Sequence, residues 1–214
     1  MGKLYRTPLY PLYAKYGAKT VAFGGWELPV QFAGIKKEHQ HVRELAGLFD
    51  VSHMGEFRIR GANAAKWLQS VTTNDLGKVA IGGVQYTFMC YSDGGTVDDL
   101  LIYMLDEDHF MLVVNAANID KDLEWLQNHA DGKVQIENIS NDTALLALQG
   151  PRAEAILQSL VQVDLSNIKP FRFENDVQIG DASVLVSRTG YTGEDGFELY
   201  LTAEHAAGVW ESLF

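Results

Sequence analysis

Apolar and polar positions along this chain repeat with two different periods, and the switches between them outline its elements. Ile35, Val42 and Leu45 recur at helical spacing with Gly47 just beyond, which predicts a helix over 35–45. From Gly55 to Arg60 the period drops to two. Phe57 and Ile59 take one face and Glu56, Arg58 and Arg60 the other, which predicts a half-buried strand. Asn63 can cap a following helix that carries Ala64, Trp67, Leu68 and Val71. A meander comes next: an apolar run at 86–91, a turn at Ser92–Gly95, a long run at 96–105, a turn at 106–108 and a third run at 110–116. Short Asp/Gly turns between such runs mark antiparallel hairpins. Asn118 then opens a helix with Ile119, Leu123 and Leu126 on one stripe, which stops near Gly132.

The two ends read less regularly. Thr7 as N-cap, Pro8 at the first helical position and Gly17 as the stop predict a short opening helix. The stretch VAFGGWELPVQF at 21–32 reads as a loop rich in glycine and aromatics. Past Gly132 the order is a strand (143–150), a helix (Pro151–Leu160), two strands ending in ASVLVSR, a loop, a strand (197–201) and a last helix. Thr202 can cap that helix, which carries Val209, Trp210, Leu213 and Phe214 and ends with no stop signal. The expectation is a piece of a longer protein with an exposed Trp210–Phe214 surface. Helices interleaved with hairpins predict an α+β fold of layered antiparallel sheets.

Composition narrows the classes. Charged residues make up 21% of the chain and apolar ones 47%, as in ordinary globular proteins. The net charge of −11 disfavours nucleic acid and anionic membranes. No run approaches the roughly 20 apolar residues of a membrane span, and the N-terminus lacks a basic stretch followed by an apolar one. Gly2 lacks the spacing to Ser or Thr that myristoylation requires. Cys90, the sole cysteine, excludes an internal disulfide and a cysteine-built zinc site; it reads as a small buried hydrophobe in a reducing compartment. The six histidines give no metal signal and read as surface residues: His39 and His41 cannot share a helix face, and His53 is far from any carboxylate pair.

Two segments carry candidate chemistry. In Gly94–Leu100, Asp98 and Asp99 stand side by side on a strand, so alternation sends them to opposite faces. Only one can face a given pocket, and the other is expected to be solvated or to cap the turn; the pattern does not choose between them. In Arg188–Glu198, three glycines let the backbone turn tightly and approach a ligand, though neither a dinucleotide fingerprint nor a phosphate loop is present. Glu198 lies on the strand face opposite Phe197, Leu199 and Leu201, which is equally the place of a solvent-facing residue.

The blocks RTPLY, VAFGGWELPVQF, LFDVSHMGE, GGTVDDLLIY, VVNAANIDKDLEW, LLALQGP and SRTGYTGEDGFELY together resemble the T-protein family of the glycine cleavage system, in the family's order and over essentially the whole chain. That resemblance implies two interleaved α+β domains around a central folate cavity: residues 1–50 with 140–214, and an inserted 51–139. The family's C-terminal β-barrel and the basic residues that hold the folate tail are absent from this stretch. It implies a tetrahydrofolate-dependent aminomethyltransferase, which takes the one-carbon unit from the aminomethyl-lipoyl arm of the H-protein and yields 5,10-methylenetetrahydrofolate and ammonia. The P-protein and dihydrolipoamide dehydrogenase are implied as indirect partners, tetrahydrofolate as co-substrate, no metal, and a cytoplasmic location. The chain alone is expected to be inactive.

Position by position, the resemblance assigns the catalytic carboxylate to Asp99 and the pterin-binding carboxylate to Glu198. Met54, Tyr86, Val113, Asn115 and Tyr191 are carried over as further cavity residues. The chemistry agrees: the forked N–H donors of a reduced pterin suit a carboxylate such as Glu198, and Met54 and Tyr191 suit its apolar faces. A folate-binding module without transferase activity, of the kind that assists iron–sulfur assembly, is the alternative. The folate module of a flavin-linked dehydrogenase is disfavoured, since the chain opens at the RTPLY block.

Overall fold

The computed structural model describes residues 3–214. Met1 and Gly2, with which the expected first domain and the acylation reading begin, lie outside the described residues. In chain order the elements are α1 (Tyr10–Tyr13), β1 (Lys19–Phe23), β2 (Trp26–Gln31), α2 (Ile35–Glu44), β3 (Gly47–Asp50), β4 (Gly55–Arg60), α3 (Ala64–Val71), β5 (Val84–Cys90), β6 (Thr96–Asp106), β7 (His109–Val114), α4 (Ile119–Asn128), β8 (Gln135–Asn138), β9 (Thr143–Gln149), α5 (Ala153–Gln158), β10 (Phe173–Ile179), β11 (Ala182–Ser187), β12 (Gly196–Thr202) and α6 (Ala206–Ser212). The chain divides into two compact units: Met1–His53 with Asp142–Phe214, and Met54–Asn141 between them. Among the described residues, no helix is long and apolar enough to cross a membrane.

The first unit holds a five-stranded sheet in the order β10-β11-β12-β9-β3 and the separate hairpin β1-β2, with every strand pair antiparallel. One face of the sheet, with Leu146, Leu148, Phe197, Leu199 and Leu201, packs with Leu9 and Tyr13, with Ala153 and Leu157 of α5, and with Val209 and Trp210 of α6. The second unit holds a sheet in the order β5-β6-β7-β4-β8, also antiparallel. Phe57, Ile59, Leu100, Ile102, Leu112 and Val114 pack there with Trp67 and Leu68 of α3 and Leu126 of α4. Each unit is thus a sheet with helices on one face, the α+β architecture read from the alternation of periods.

Several local readings need correction. The stretch at 21–32 is no loop but the β1-β2 hairpin, whose turn uses Gly24 (φ 55°) and Gly25 (φ 87°), the left-handed pair that a tight hairpin demands. Pro29 sits within β2, tolerated because β2 is an edge of a two-stranded sheet among the described residues. Thr7 does not cap α1. Its hydroxyl donates instead to Asp50 Oδ2 (2.6 Å), which also accepts from Tyr13 Oη (2.6 Å), while Asp50 Oδ1 accepts from the Ser52 amide (3.0 Å). The buried carboxylate, which is costly to leave without donors, takes the hydroxyl instead of the helix end. Trp210 is buried at 2% exposure, and Phe214, though exposed, stacks on Tyr16 at 4.7 Å. Cys90 is half-buried rather than buried. His53 is not a plain surface residue: half-buried, its ring meets Trp26 edge-on, and burial pushes its pKa down.

Candidate functional site

The second unit turns one sheet face toward its helices, and alternation puts a different set of side chains on the other. Register fixes that set: Tyr86 opposite Leu101, Leu101 opposite Val113, and Val113 opposite Glu56 form one row across β5, β6, β7 and β4. Asp99 lies two residues before Leu101 on β6, on the same face and opposite Phe88. Asn115 follows β7 directly. Met54 immediately precedes β4, whose first residue Gly55 pairs with Val114.

Side-chain hydrogen bonds draw part of this set together. Tyr86 Oη donates to Asp99 Oδ2 at 2.9 Å, and Asn115 Nδ2 donates toward Asp99 Oδ1 at 3.1 Å. Both carboxyl oxygens of Asp99 are therefore held by neutral donors, which orient the group without cancelling its charge. Tyr86 and Phe88 meet edge to face at 5.3 Å and are 46% and 38% exposed, so an aromatic shelf adjoins the carboxyl. The sequence reading did not single out Phe88, although its two-residue spacing from Tyr86 signals a shared face. Val113 is buried and Met54 half-buried.

Asp98 departs from expectation. It points into the helix-covered face with Leu100, is 6% exposed, and neither caps the turn nor reaches solvent. Its Oδ1 accepts from Asn115 Nδ2 at 3.0 Å, while its Oδ2 and both oxygens of Asp122 on α4 are buried with no hydrogen-bond donor among the described residues. Glu56 also departs. Alternation placed it on the polar face of β4, yet it is 1% exposed, neither oxygen finds a hydrogen-bond donor, and burial pushes its pKa well up.

In the first unit, Glu198 occupies the face of β12 opposite Phe197, Leu199 and Leu201, paired with Ser187 and Ala147. It is half-buried; Oε2 accepts from the Thr189 hydroxyl and from Tyr200 Oη at 3.4 Å. The neighbouring loop is clamped at its base by Arg188, whose Nε donates to Asp195 Oδ1 at 2.9 Å and holds that carboxyl below its usual range. Arg43 Nη1 holds the loop's middle by donating to the Thr192 carbonyl (2.7 Å) and to Glu194 Oε1 (2.8 Å). Gln149, fully buried, donates to the Thr189 carbonyl and accepts from Thr192 Oγ1. The close approach that the glycines permit is to this glutamine: a Cβ at Gly190 would lie 2.1 Å from its Oε1. Tyr191, at the loop's tip, is fully exposed. A cleft of about 480 Å³ in this unit, beside Arg188 and Asp195, includes none of the seven carried-over residues. Among the described residues, no group of three or more His, Cys, Asp or Glu could hold a metal ion.

Comparison with known proteins bears on this arrangement. The profile of the GCVT N-terminal domain family matches residues 9–214. Aminomethyltransferases of Anoxybacillus flavithermus and Geobacillus thermodenitrificans are 61% and 60% identical over 210 residues, 98% of this chain and 58% of each relative. The glycine cleavage system aminomethyltransferase T of Bartonella henselae superposes with a TM-score of 0.89 at 36% identity, over 98% of this chain and 57% of that one. A heterotetrameric sarcosine oxidase from Corynebacterium sp. U-96 shares the fold at 18% identity and a TM-score of 0.66. The chain thus spans a little over half the length of the aminomethyltransferases it matches. It belongs to the GCVT N-terminal domain family, the aminomethyltransferase family of the glycine cleavage system.

Proposed function

We propose that this chain forms the folate-binding part of a tetrahydrofolate-dependent aminomethyltransferase, with Asp99 as its catalytic carboxylate. The observation that carries the reading is the doubly held Asp99, oriented by Tyr86 and Asn115 beside an exposed aromatic shelf. A carboxylate fixed by neutral donors keeps its charge and acts as an oriented acceptor for an N–H near N10 of the folate. It also stabilises positive charge that develops as N5 bonds the one-carbon unit. The Tyr86–Phe88 shelf, with Met54 and Val113, suits the apolar edge of such a ring. Glu198 supplies the acceptor for the forked N–H donors of the pterin, and Thr189 and Tyr200 preset its orientation. Tyr191, exposed at the tip of a loop anchored by Gln149 and Arg43, offers an aromatic face to such a ring.

In this reading the one-carbon donor is the aminomethyl-lipoyl arm of the H-protein, and the products are 5,10-methylenetetrahydrofolate, ammonia and the reduced carrier. The P-protein and dihydrolipoamide dehydrogenase act on the same carrier. The cytoplasm is the natural setting, and no metal takes part. The 214-residue chain alone does not turn over.

The test measures ammonia release from aminomethylated carrier, with and without tetrahydrofolate, using a form extended to the relatives' length. Asp99→Asn is expected to lower turnover by at least ~100-fold with folate affinity changed far less. Glu198→Gln is expected to weaken folate binding by about 10-fold or more. Wild-type turnover in Asp99→Asn would overturn the catalytic assignment. Folate binding without any ammonia release would favour the non-transferase module.

A further inference from the structure

Asp98 and Asp122 belong to none of the roles assigned above, yet they sit one hydrogen bond away from them. Asp98 faces the helical layer from β6, beside Met89 of β5; Asp122 lies in the first turn of α4. Both are buried, Asp122 completely. Among the described residues, Asp98 Oδ2 and both oxygens of Asp122 are buried with no hydrogen-bond donor, and the two carboxyls act on each other at short range. Two carboxylates are both acceptors, so a bond between them requires that one of them carry a proton. The cation at the pair is Lys121 Nζ, 3.4 Å from Asp122 Oδ1 and also bonded to the Val97 carbonyl. One lysine cannot balance two buried charges.

We propose that Asp98 and Asp122 share a single proton, and that this acid–carboxylate pair positions Asp99 by fixing the side-chain amide of Asn115. The Asp122 hydroxyl donates to Asp98, which stays anionic. Asp98 Oδ1 accepts from Asn115 Nδ2 at 3.0 Å. The same Nδ2 donates to Asp99 Oδ1 at 3.1 Å and toward the Asp99 carbonyl at 3.2 Å. Without Asp98 the amide loses the shortest of its three acceptor contacts, and its hold on the Asp99 carboxyl loosens. Asp98 and Asp122 are thus positioning residues, and their value to catalysis rests on the reading of Asp99 given above.

Electrostatics agree with the geometry. Burial first, then the bond to Asp98 and its charge, push the Asp122 carboxyl up to about 8, against a smaller pull from Lys121. Burial works to raise Asp98 as well, but bonds from Asp122, Asn115 and Asn118 outweigh it and hold Asp98 below the usual carboxylate range. The titration belongs to the pair. Among the described residues, Lys121 on α4 is the one other charged group that acts on the pair; Asn115, Asn118 and the Asp99 backbone amide reach Asp98 as neutral donors.

The test needs no folate. In the 214-residue chain, the Asn115 side-chain amide and the Asp99 carboxyl carbon are followed by NMR between about pH 6 and 10. The wild type is expected to show one shared step near pH 8, where the pair loses its proton. Asp122→Asn, always neutral and still a donor, is expected to erase the step and keep the low-pH signals throughout. Asp98→Asn is expected to move both signals at every pH. A step that survives Asp122→Asn, or an Asn115 amide and Asp99 carbon indifferent to Asp98→Asn, would overturn the proposal. If the step behaves as described while Asp99→Asn leaves turnover intact, the positioning pair stands and the catalytic assignment of Asp99 fails.

Discussion

Replacing Gly190 by alanine should destabilise the first unit through one buried side chain. The new Cβ would sit 2.1 Å from Gln149 Oε1 and 2.5 Å from its Cδ and Nε2, well inside the 3.4 Å at which ordinary contact begins. Gln149 must therefore move by roughly 1 Å, and it has nowhere to go. It is fully buried, and its amide already holds the Thr189 carbonyl at 3.0 Å and the Thr192 hydroxyl at 2.9 Å. Overpacking of this kind costs about 1–3 kcal/mol, and weakening two buried hydrogen bonds adds about 1 kcal/mol each. The sum, about 3–5 kcal/mol, is a sizeable share of a domain's typical ~5–15 kcal/mol. With a urea slope of about 2 kcal/mol/M, the midpoint falls by roughly 1.5–2.5 M. Urea denaturation monitored by hydrogen exchange at β9 and β12 amides reads this unit specifically. The double variant Gly190→Ala/Gln149→Ala should cost distinctly less than the sum of the two single changes, because the clash is gone. A wild-type midpoint in Gly190→Ala, or strict additivity in the cycle, would refute the reasoning.

Other perturbations follow from the same contacts. Tyr13→Phe removes one of the three donors to the buried Asp50 and should cost about 1.5–3 kcal/mol, a fall of about 5 °C in the calorimetric Tm, while Tyr10→Phe, whose hydroxyl makes a longer bond to Glu27, should cost less than about 1 kcal/mol. Glu56 has a folded pKa raised above its unfolded value, so the folded state binds the extra proton; this group's contribution to stability is greatest at low pH and falls as pH rises above about 4.5, by up to ~1.4 kcal/mol per unit. Glu56→Gln should remove that group's share, flattening stability against pH between about 5 and 8, and an unchanged slope in thermal unfolding would count against a protonated Glu56. Tyr86→Phe removes one of the two side-chain donors on Asp99 and should lower turnover of the extended form by about 10-fold, with kcat affected more than the folate KM.

Much of this was legible in the chain because long segments keep one period. β4 and β12 announce themselves by alternation, β6, β7 and β9 by apolar runs bounded by turns, and the stripe at Ile119, Leu123 and Leu126 announces α4. The short strands β3 and β8, four residues each, are too brief for a period to register. The β1-β2 hairpin was signalled by its Gly-Gly turn but lacks apolar alternation, since every residue of β1 is exposed. At the site, alternation correctly separated Asp98 from Asp99 but could not say which environment each meets. The group that faces Asp98 is Asp122, on the helix one strand later, and no spacing rule links those positions. Glu56 shows the same limit. A period of two tells which way a side chain points, not whether water waits there.

The second unit leaves the first after β3 and rejoins it before β9, and those two strands are hydrogen-bonded neighbours, with Asp50 opposite Leu146. Within the insert, the first and last strands, β4 and β8, are likewise paired, with Phe57 opposite Asn138. A whole folding module is therefore spliced into what would otherwise be the tip of an ordinary hairpin. Both its ends emerge side by side, so it can be excised, or the host closed with a two-residue link, without unthreading either sheet. A cut anywhere else in either ladder would sever a register that the rest of its layer depends on.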